Sequence, residues 1–343
     1  MMLNTRKLLL TLISLTTLLA LVVIVLGAYT RLSDAGLGCP DWPGCYGRML
    51  IPEGQDFMAE ANELYPDRPL EAGKAWKEMV HRYAAGGLGF LILLIAIVAL
   101  KDRKNPDTPF WAPMILLALV IFQALLGMWT VTLLLKPIIV MGHLLGGMTL
   151  LLLLVWLFLS LYYQPSRNAT NTAMKAPSYS WAVLALVILY IQISLGGWTS
   201  ANYAALACPD LPQCQGEWLP PMDFQEGFLL WRGLGVDYEY GVLDPPARTA
   251  IHFSHRVGAV ITLLLISLVC LRCLQVMNER IKNSARVVLT LLFIQFGLGM
   301  ANIIFTLPIN VATAHNGVAA LLLAATGVLL FYSRYATLPQ GPK

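Results

Sequence analysis

The sequence predicts an all-α membrane protein. Eight transmembrane helices form two four-helix bundles, parallel repeats related by pseudo-two-fold symmetry about the membrane normal. Composition is the first sign. Of 343 residues, 57% are hydrophobic and 12% charged, with a mean hydropathy of +0.67, whereas an ordinary soluble domain carries about 25% charged residues. The second sign is a set of eight apolar stretches, each long enough for a bilayer crossing of about 20 residues. The third is that the last four stretches repeat the first four.

The stretches run from 8 to 29, 79 to 100, 111 to 135, 138 to 163, 180 to 199, 248 to 271, 285 to 306 and 309 to 333. The first follows Arg6 and Lys7, exceeds the apolar core of a signal peptide and has no small-residue cleavage site ahead of Arg31, so it reads as a retained helix. Segments 31 to 77 and 200 to 247 are rich in Pro, Gly, Trp and acids. They are too polar for lipid and longer than ordinary connections, which favours a functional role. Within them "GQDFMAEANELY" (54 to 65) reads as a short amphipathic helix over the bundle mouth. The units are therefore 1 to 165, a linker at 166 to 178, and 179 to 343.

Charge sets the orientation. With the N-terminus inside, the inner segments hold 13 Lys and Arg against three acids, and the outer ones 10 against 16. The net +4 thus divides into +10 inside and −6 outside, as the positive-inside rule requires. Both termini are expected in the cytoplasm and the cysteine loops outside. This distribution describes topology and gives no argument for nucleic acid.

The repeat shows in four landmarks. "LGAYTRLSDAGLGCPDWPGCYG" (26 to 47) pairs with "LGGWTSANYAALACPDLPQCQG" (195 to 216), and "EMVHRYAAG" (78 to 86) with "HFSHRVGAV" (252 to 260). "FQALLGMW" (122 to 129) pairs with "IQFGLGMA" (294 to 301), and "GHLLGG" (142 to 147) with "AHNGVA" (314 to 319). Four spans per half put both halves in the same orientation, which speaks against the inverted repeats of many transporters.

The five histidines all fall on the outer side. His143, His255 and His315 lie roughly 9 to 13 Å below the outer helix ends at 1.5 Å rise per residue, with His81 at a similar level. Ionisable groups at such depth face the bundle interior and mark function; the structural alternative is an imidazole bonded across helices. Two per half, on alternate spans, can converge in a bundle core. Zinc wants four ligands where each half offers two histidines and at most one glutamate, and copper stays open although no methionine or cysteine falls into an obvious third position. Haem needs only two axial ligands, His81 with His143 and His255 with His315. The glycines of "AAGGLG" (84 to 89), "GHLLGG" and "HNG" (315 to 317) either make room for a macrocycle or pack helices closely.

Glu78 lies three residues before His81, on the same helix face. Its repeat mate is His252. Either Glu78 is a solvated residue at a helix start, or one bundle does chemistry and the other handles electrons, with Glu78 taking a proton during oxidation of a haem substituent. Arg82 and Arg256 each follow a histidine and can pair with haem propionates or reach to the interface. Cys39 with Cys45 and Cys208 with Cys214 share a five-residue gap in outer loops. Each pair forms a disulfide in an oxidising compartment, as a staple over the bundle mouth or a redox relay. "CLRC" (270 to 273) lacks zinc partners and reads as incidental.

"E-x-x-H-R" at 78 to 82, "GHLLGG" around His143, "SHR" at 254 to 256, "AHNG" around His315 and the paired "CPD-x-P-x-C" loops resemble the haem A synthase family over nearly the whole chain. The resemblance implies a haem-dependent membrane oxidoreductase of the bacterial cytoplasmic membrane, oxidising a methyl group of haem O to the formyl group of haem A. His81 and His143 would hold the substrate haem O, Glu78 would assist the chemistry, and His255 and His315 would ligate a haem b cofactor. His252 receives no role. The implied partners are a haem O synthase, cytochrome oxidase subunit I or its assembly machinery, and an electron donor of unassigned identity; a homo-oligomer is neither required nor excluded. A non-enzymatic dihaem cytochrome b is the rival, and it gives Glu78 no special role.

Overall fold

The computed structural model describes residues 2 to 51, 55 to 163 and 177 to 335. The expected linker lies outside these residues except at its last two positions, as do Arg167, Lys175 and Lys343 of the charge count. Among the described residues ten α-helices form: α1 Met2–Leu32, α2 Gln55–Leu64, α3 Ala72–Lys101, α4 Trp111–Thr132, α5 Pro137–Tyr163, α6 Pro177–Ala201, α7 Phe224–Gly227, α8 Pro245–Leu274, α9 Glu279–Ile304 and α10 Ile309–Arg334. All but α2 and α7 are long and apolar enough to cross a membrane, which gives the eight spans.

The spans differ from the hydropathy reading chiefly at their ends. Helix α3 starts seven residues ahead of the expected 79, because its first turns, "AGKAWKE", are polar and project beyond the apolar window. Helix α9 starts six residues early, where the Asn278 side chain accepts hydrogen bonds from the backbone N–H of Arg280 and Ile281. Two prolines open α8, where their fixed φ suits the first turn and no N–H is missed. Helix α4 stops three residues short of 135 because Leu134 and Leu135 turn to φ values of 51° and 58°. Thr306 and Leu307 make the same turn in the second half, at 55° and 59°.

Packing places the histidine-bearing helices opposite one another. In the first half α1 and α4 each contact both α3 and α5, so α3 and α5 lie on a diagonal. In the second half α6 and α9 each contact both α8 and α10. The halves meet through α1 with α10, and α5 with α6 and α10. One core cluster joins them, including Leu9, Ile13, Ile92, Leu154, Ile266 and Leu322. Leu18, Phe90, Ile191 and Leu264 point outward, which costs nothing where the surroundings are lipid. Several hydroxyls in the spans bond back to their own helix, as Thr16 does to the Leu12 carbonyl at 2.6 Å and Thr326 to that of Leu322 at 2.8 Å, which satisfies their donors away from water.

Both disulfides form, Cys39–Cys45 and Cys208–Cys214. The aspartate of each "CPD" closes its loop: Asp41 accepts from the N–H of Tyr46 and Gly47 at 2.7 and 2.8 Å, and Asp210 from those of Gln215 and Gly216 at 2.6 and 2.8 Å. The Gly216 and Gln215 N–H groups hold the Asp210 carboxyl below its ordinary range. The amphipathic helix expected at 54 to 65 is α2, apart from Gly54, which lies outside the described residues. It packs through Phe57 and Ala61 onto Cys39, Cys45 and Met79.

The segment between α6 and α8 crosses to the first half. Tyr238 donates its N–H to the Leu134 carbonyl at 3.1 Å and packs among Leu37, Val131 and Leu135. Arg68 bridges to Asp237 at 2.6 Å and to Glu239. Lys136 is 2% exposed, donates to the Gly233 carbonyl and lies 3.1 Å from the centre of the Trp231 ring.

Candidate functional site

His81 of α3 and His143 of α5 face each other across the first half, ring centroids 6.5 Å apart and planes perpendicular. Two imidazoles on one metal, with metal–nitrogen bonds of about 2.0 to 2.1 Å, put their ring centres roughly 6 Å apart. The pair therefore has the separation that a shared metal needs. His255 of α8 and His315 of α10 occupy the matching diagonal of the second half.

Glycines on neighbouring helices back all four rings. A Cβ added at Gly27 of α1 would lie 2.9 Å from His81 Cε1, and one at Gly196 of α6 would lie 3.1 Å from His255 Cε1. On α4 and α9, Gly127 and Gly299 stand against His143 and His315 at 3.5 and 3.3 Å. These differ from the glycines that the sequence singled out. Gly86 and Gly147 face open space, Gly146 makes room for Gln123, and Gly317 faces Val25. Histidine Nδ1 atoms at 81, 143 and 315 are buried without a formed hydrogen bond. Paired imidazoles, glycine cradles and orphaned ring nitrogens together fit axial ligation of a planar macrocycle.

The two halves differ in the space around their pairs. A cavity of about 890 Å³ in the first half is lined by Glu78, His81, Arg82, Gln123 and His143, within the size range of cofactor and drug-sized sites. Phe90, Leu93 and Ile121 also line it and are exposed on the outer surface of α3 and α4, so it opens sideways towards lipid. Gly197 and Asn316 of the second half reach its wall. A hollow of about 440 Å³ along α6 and α8 passes Gln192 and Gly258 and reaches neither His255 nor His315. There, glutamine amides contact the ring nitrogens: Gln192 Nε2 donates to His255 Nδ1 at 2.9 Å, and Gln295 Nε2 lies 3.1 Å from His315 Nε2.

Glu78 is buried. Its Oε2 accepts the N–H of Cys39 at 2.9 Å and its Oε1 accepts from Arg82. His252, left without a role by the sequence, is buried too and accepts the N–H of Cys208 on Nδ1 at 3.0 Å. The repeat mates thus anchor equivalent cysteine loops to equivalent helices. Close approach makes this reach possible: Gly38 presses onto the α3 backbone, where a Cβ would fall 2.7 Å from the Lys74 carbonyl carbon. The two arginines, left open between propionates and the interface, both hold loop carbonyls. Arg82 donates to the carbonyls of Asp41, Pro43 and Gly44, and Arg256 to those of Cys208, Asp210 and Gln213. A guanidinium offers five donors, and Arg82 lines the cavity as well as holding its loop.

Sequence reasoning missed Gln123, Gln192 and Gln295, the four backing glycines and the link from Glu78 to its cysteine loop. The signal for all three glutamines was present: Gln-x-x-x-Gly recurs as Gln123 with Gly127, Gln192 with Gly196 and Gln295 with Gly299, one helical turn apart. Cys270 and Cys273 are free and buried in the core.

Fold and site define a class: a membrane protein of eight spans whose four-helix halves each carry two histidines on diagonal helices, with a carboxylate beside one pair. The family described as "Cytochrome oxidase assembly protein" matches residues 10 to 326. A protein of Shewanella oneidensis named "Heme A synthase" is 46% identical over 312 residues, covering 91% of this chain and 92% of its own. Another of that name from Caulobacter vibrioides is 28% identical over 322 residues, covering 88% and 89%. This chain belongs to the haem A synthase family of cytochrome oxidase assembly proteins.

Proposed function

We propose that the protein oxidises a methyl group of haem O to a formyl group, giving haem A for cytochrome oxidase. Family membership supports this. The observation that carries it is the cavity of the first half, where the facing pair His81 and His143 shares a wall with buried Glu78. With water as the oxygen source the conversion is –CH3 + H2O → –CHO + 4 H+ + 4 e−, the electrons passing to a separate acceptor protein, so the site needs a proton acceptor beside the substrate. Glu78 provides one. Its carboxylate has about four lone-pair sites, and Cys39 and Arg82 each occupy one.

His81 and His143 are the residues that would hold the substrate, with Gly27 and Gly127 leaving room for the rings that grip it. His255 and His315 would hold a resident haem b, whose bis-imidazole iron supplies one-electron transfer. Asn316, next to His315 in the chain, lines the first cavity, which supports a reading with the two sites side by side. The low polarity of the cavity wall excludes water and strengthens the electrostatics of Glu78. We assign the cysteine loops to the outer face of a bacterial cytoplasmic membrane and both termini to the cytoplasm, on the charge asymmetry of the loops. The two bundles would be related by a pseudo-two-fold along the membrane normal. A haem O synthase would deliver the substrate, cytochrome oxidase subunit I or its assembly factors would take the product, and a separate protein would exchange electrons with the second half.

The test supplies haem O to membranes containing the protein and analyses the extracted haem by mass. Formyl haem is the expected product. Unchanged haem O, with haem b still bound, would leave a non-enzymatic cytochrome in its place.

A further inference from the structure

The α1 residues lining the cavity of the first half include Ala20, Ile24, Gly27 and Arg31, whose spacing of three or four puts them on one helix face. Gly27 backs the His81 ring. Arg31 therefore stands on the cavity face one turn beyond that glycine, about 6 Å nearer the cysteine loops at 1.5 Å per residue. Its side chain is 14% exposed. Nη2 donates to the Ser200 carbonyl at 2.7 Å, Nη1 lies 3.9 Å from the Asp34 carboxylate, beyond hydrogen-bond length, and the guanidinium covers the Tyr203 ring at 4.0 Å. A guanidinium has five donors, so this one, largely withdrawn from water, keeps donors to spare. Arg82 lines the same cavity but is committed to Glu78 and three loop carbonyls.

The repeat makes this position specific to one half. The residue matching Arg31 is Ser200, and Arg31 bonds to the carbonyl of that very mate across the join between the halves. Helix α6, which matches α1, carries no cation. In the first half Glu78 stands at the level of Arg31: three residues before His81 on α3, it is about 4.5 Å nearer the cysteine loops than the histidine. Arg31, Glu78 and Arg82 thus gather at one end of the cavity, while Leu93, Val120 and Leu150 make the wall apolar towards the other. A flat ligand gripped between His81 and His143 meets charge at the cysteine-loop end alone. That suits a ligand with carboxylates on one edge and apolar substituents on the other.

Resting on the function proposed above, we infer that the Arg31 guanidinium pairs with a propionate of the substrate porphyrin and so sets which edge of the ring lies under the cysteine loops. Guanidinium meets a carboxylate through two N–H donors, which fixes orientation as well as adding binding energy. In haem O the methyl group that becomes the formyl group shares its pyrrole ring with a propionate. Holding that propionate at Arg31 turns the reacting methyl to the end of the cavity where Glu78 stands. Arg31 is then a substrate-binding residue with no part in proton transfer, and the second half, with Ser200 in its place, binds its own haem without this contact.

The test compares uptake of haem O and of its dimethyl ester, in which both propionates are capped, by the purified full-length protein with haem in place in its second half. Bound porphyrin is identified by mass. The wild type is expected to prefer the free acid by at least about tenfold, the scale of a charge-assisted hydrogen bond. Arg31→Gln, which keeps a hydrogen-bonding amide and removes the charge, is expected to bring acid and ester within about twofold of each other, with the absorption of the second-half haem unchanged as the check on folding. Arg31→Lys, which keeps the charge without the planar fork, is expected to fall between. Equal uptake of acid and ester by the wild type overturns the inference while leaving the proposed function in place, and this comparison needs no variant. Undiminished preference for the acid in Arg31→Gln overturns it as well, and the same result in Arg31→Lys does so if the glutamine variant fails to hold the second-half haem. Uptake of neither porphyrin by the wild type overturns both this inference and the function on which it rests.

Discussion

Glu78 and His252 accept the same kind of hydrogen bond, each from the N–H of the first cysteine in its loop, at 2.9 and 3.0 Å. An imidazole therefore does the structural part of what a carboxylate does at this position. That separates two duties which a truncation to alanine would mix. Glu78→His is expected to keep both disulfides and lose formyl haem production by at least about a hundredfold, the usual scale for a positioned proton acceptor. Thiol titration and mass analysis of extracted haem check the two halves of that expectation. Production within a few-fold of the wild type would assign Glu78 to loop anchoring alone. Arg82 reinforces the anchor, since its guanidinium joins the Glu78 carboxylate to three loop carbonyls.

Helices contribute to the site by what they leave out as much as by what they present. Each histidine sits on one helix and its backing glycine on the next: α1 backs α3, α4 backs α5, α6 backs α8 and α9 backs α10. Alanine is the better helix former by up to about 1 kcal/mol, so Gly196→Ala should leave the thermal stability of the apoprotein unchanged or raised. Its Cβ would nevertheless lie 3.1 Å from the His255 ring. A free imidazole moves aside at little cost, but one fixed on an iron does not. We expect haem retention in the second half to fall by about ten- to a hundredfold, the range for a disturbed outer-shell contact, with an altered absorption spectrum. Retention equal to wild type would show that the glycine serves only helix packing.

At the scale of the whole molecule, the segment between α6 and α8 straps the first half. Arg68 with Asp237 and Glu239, Lys136 with Gly233 and Trp231, and the Tyr238 N–H with the Leu134 carbonyl all join residues from opposite halves. Exposed ion pairs contribute only about 0.2 to 1 kcal/mol, so Arg68→Ala should barely change the melting temperature. The strap itself should loosen, because Arg68 holds two of its carboxylates. Faster protease cleavage within 229 to 242, where Leu230 and Leu234 are exposed, is the expected outcome, and an unchanged cleavage rate would place the hold in Lys136 and Tyr238 instead.

The eight spans, the repeat and the four histidines were legible in the amino-acid order, because bilayer thickness and internal duplication both write themselves along the chain. Helix starts such as Ala72 and Glu279 were not, since polar first turns carry no hydropathy signal. Arg82 and Arg256 were left open between propionates and the interface, and the loop carbonyls that each one meets could not be read from the sequence. Sequence alone determined what crosses the membrane and which residue types lie at the depth of a shared metal. Tertiary structure decided which glycine backs which ring, that Glu78 and His252 are the same anchor, and that one pair of histidines opens into a cavity, because those facts depend on contacts between helices far apart in the chain.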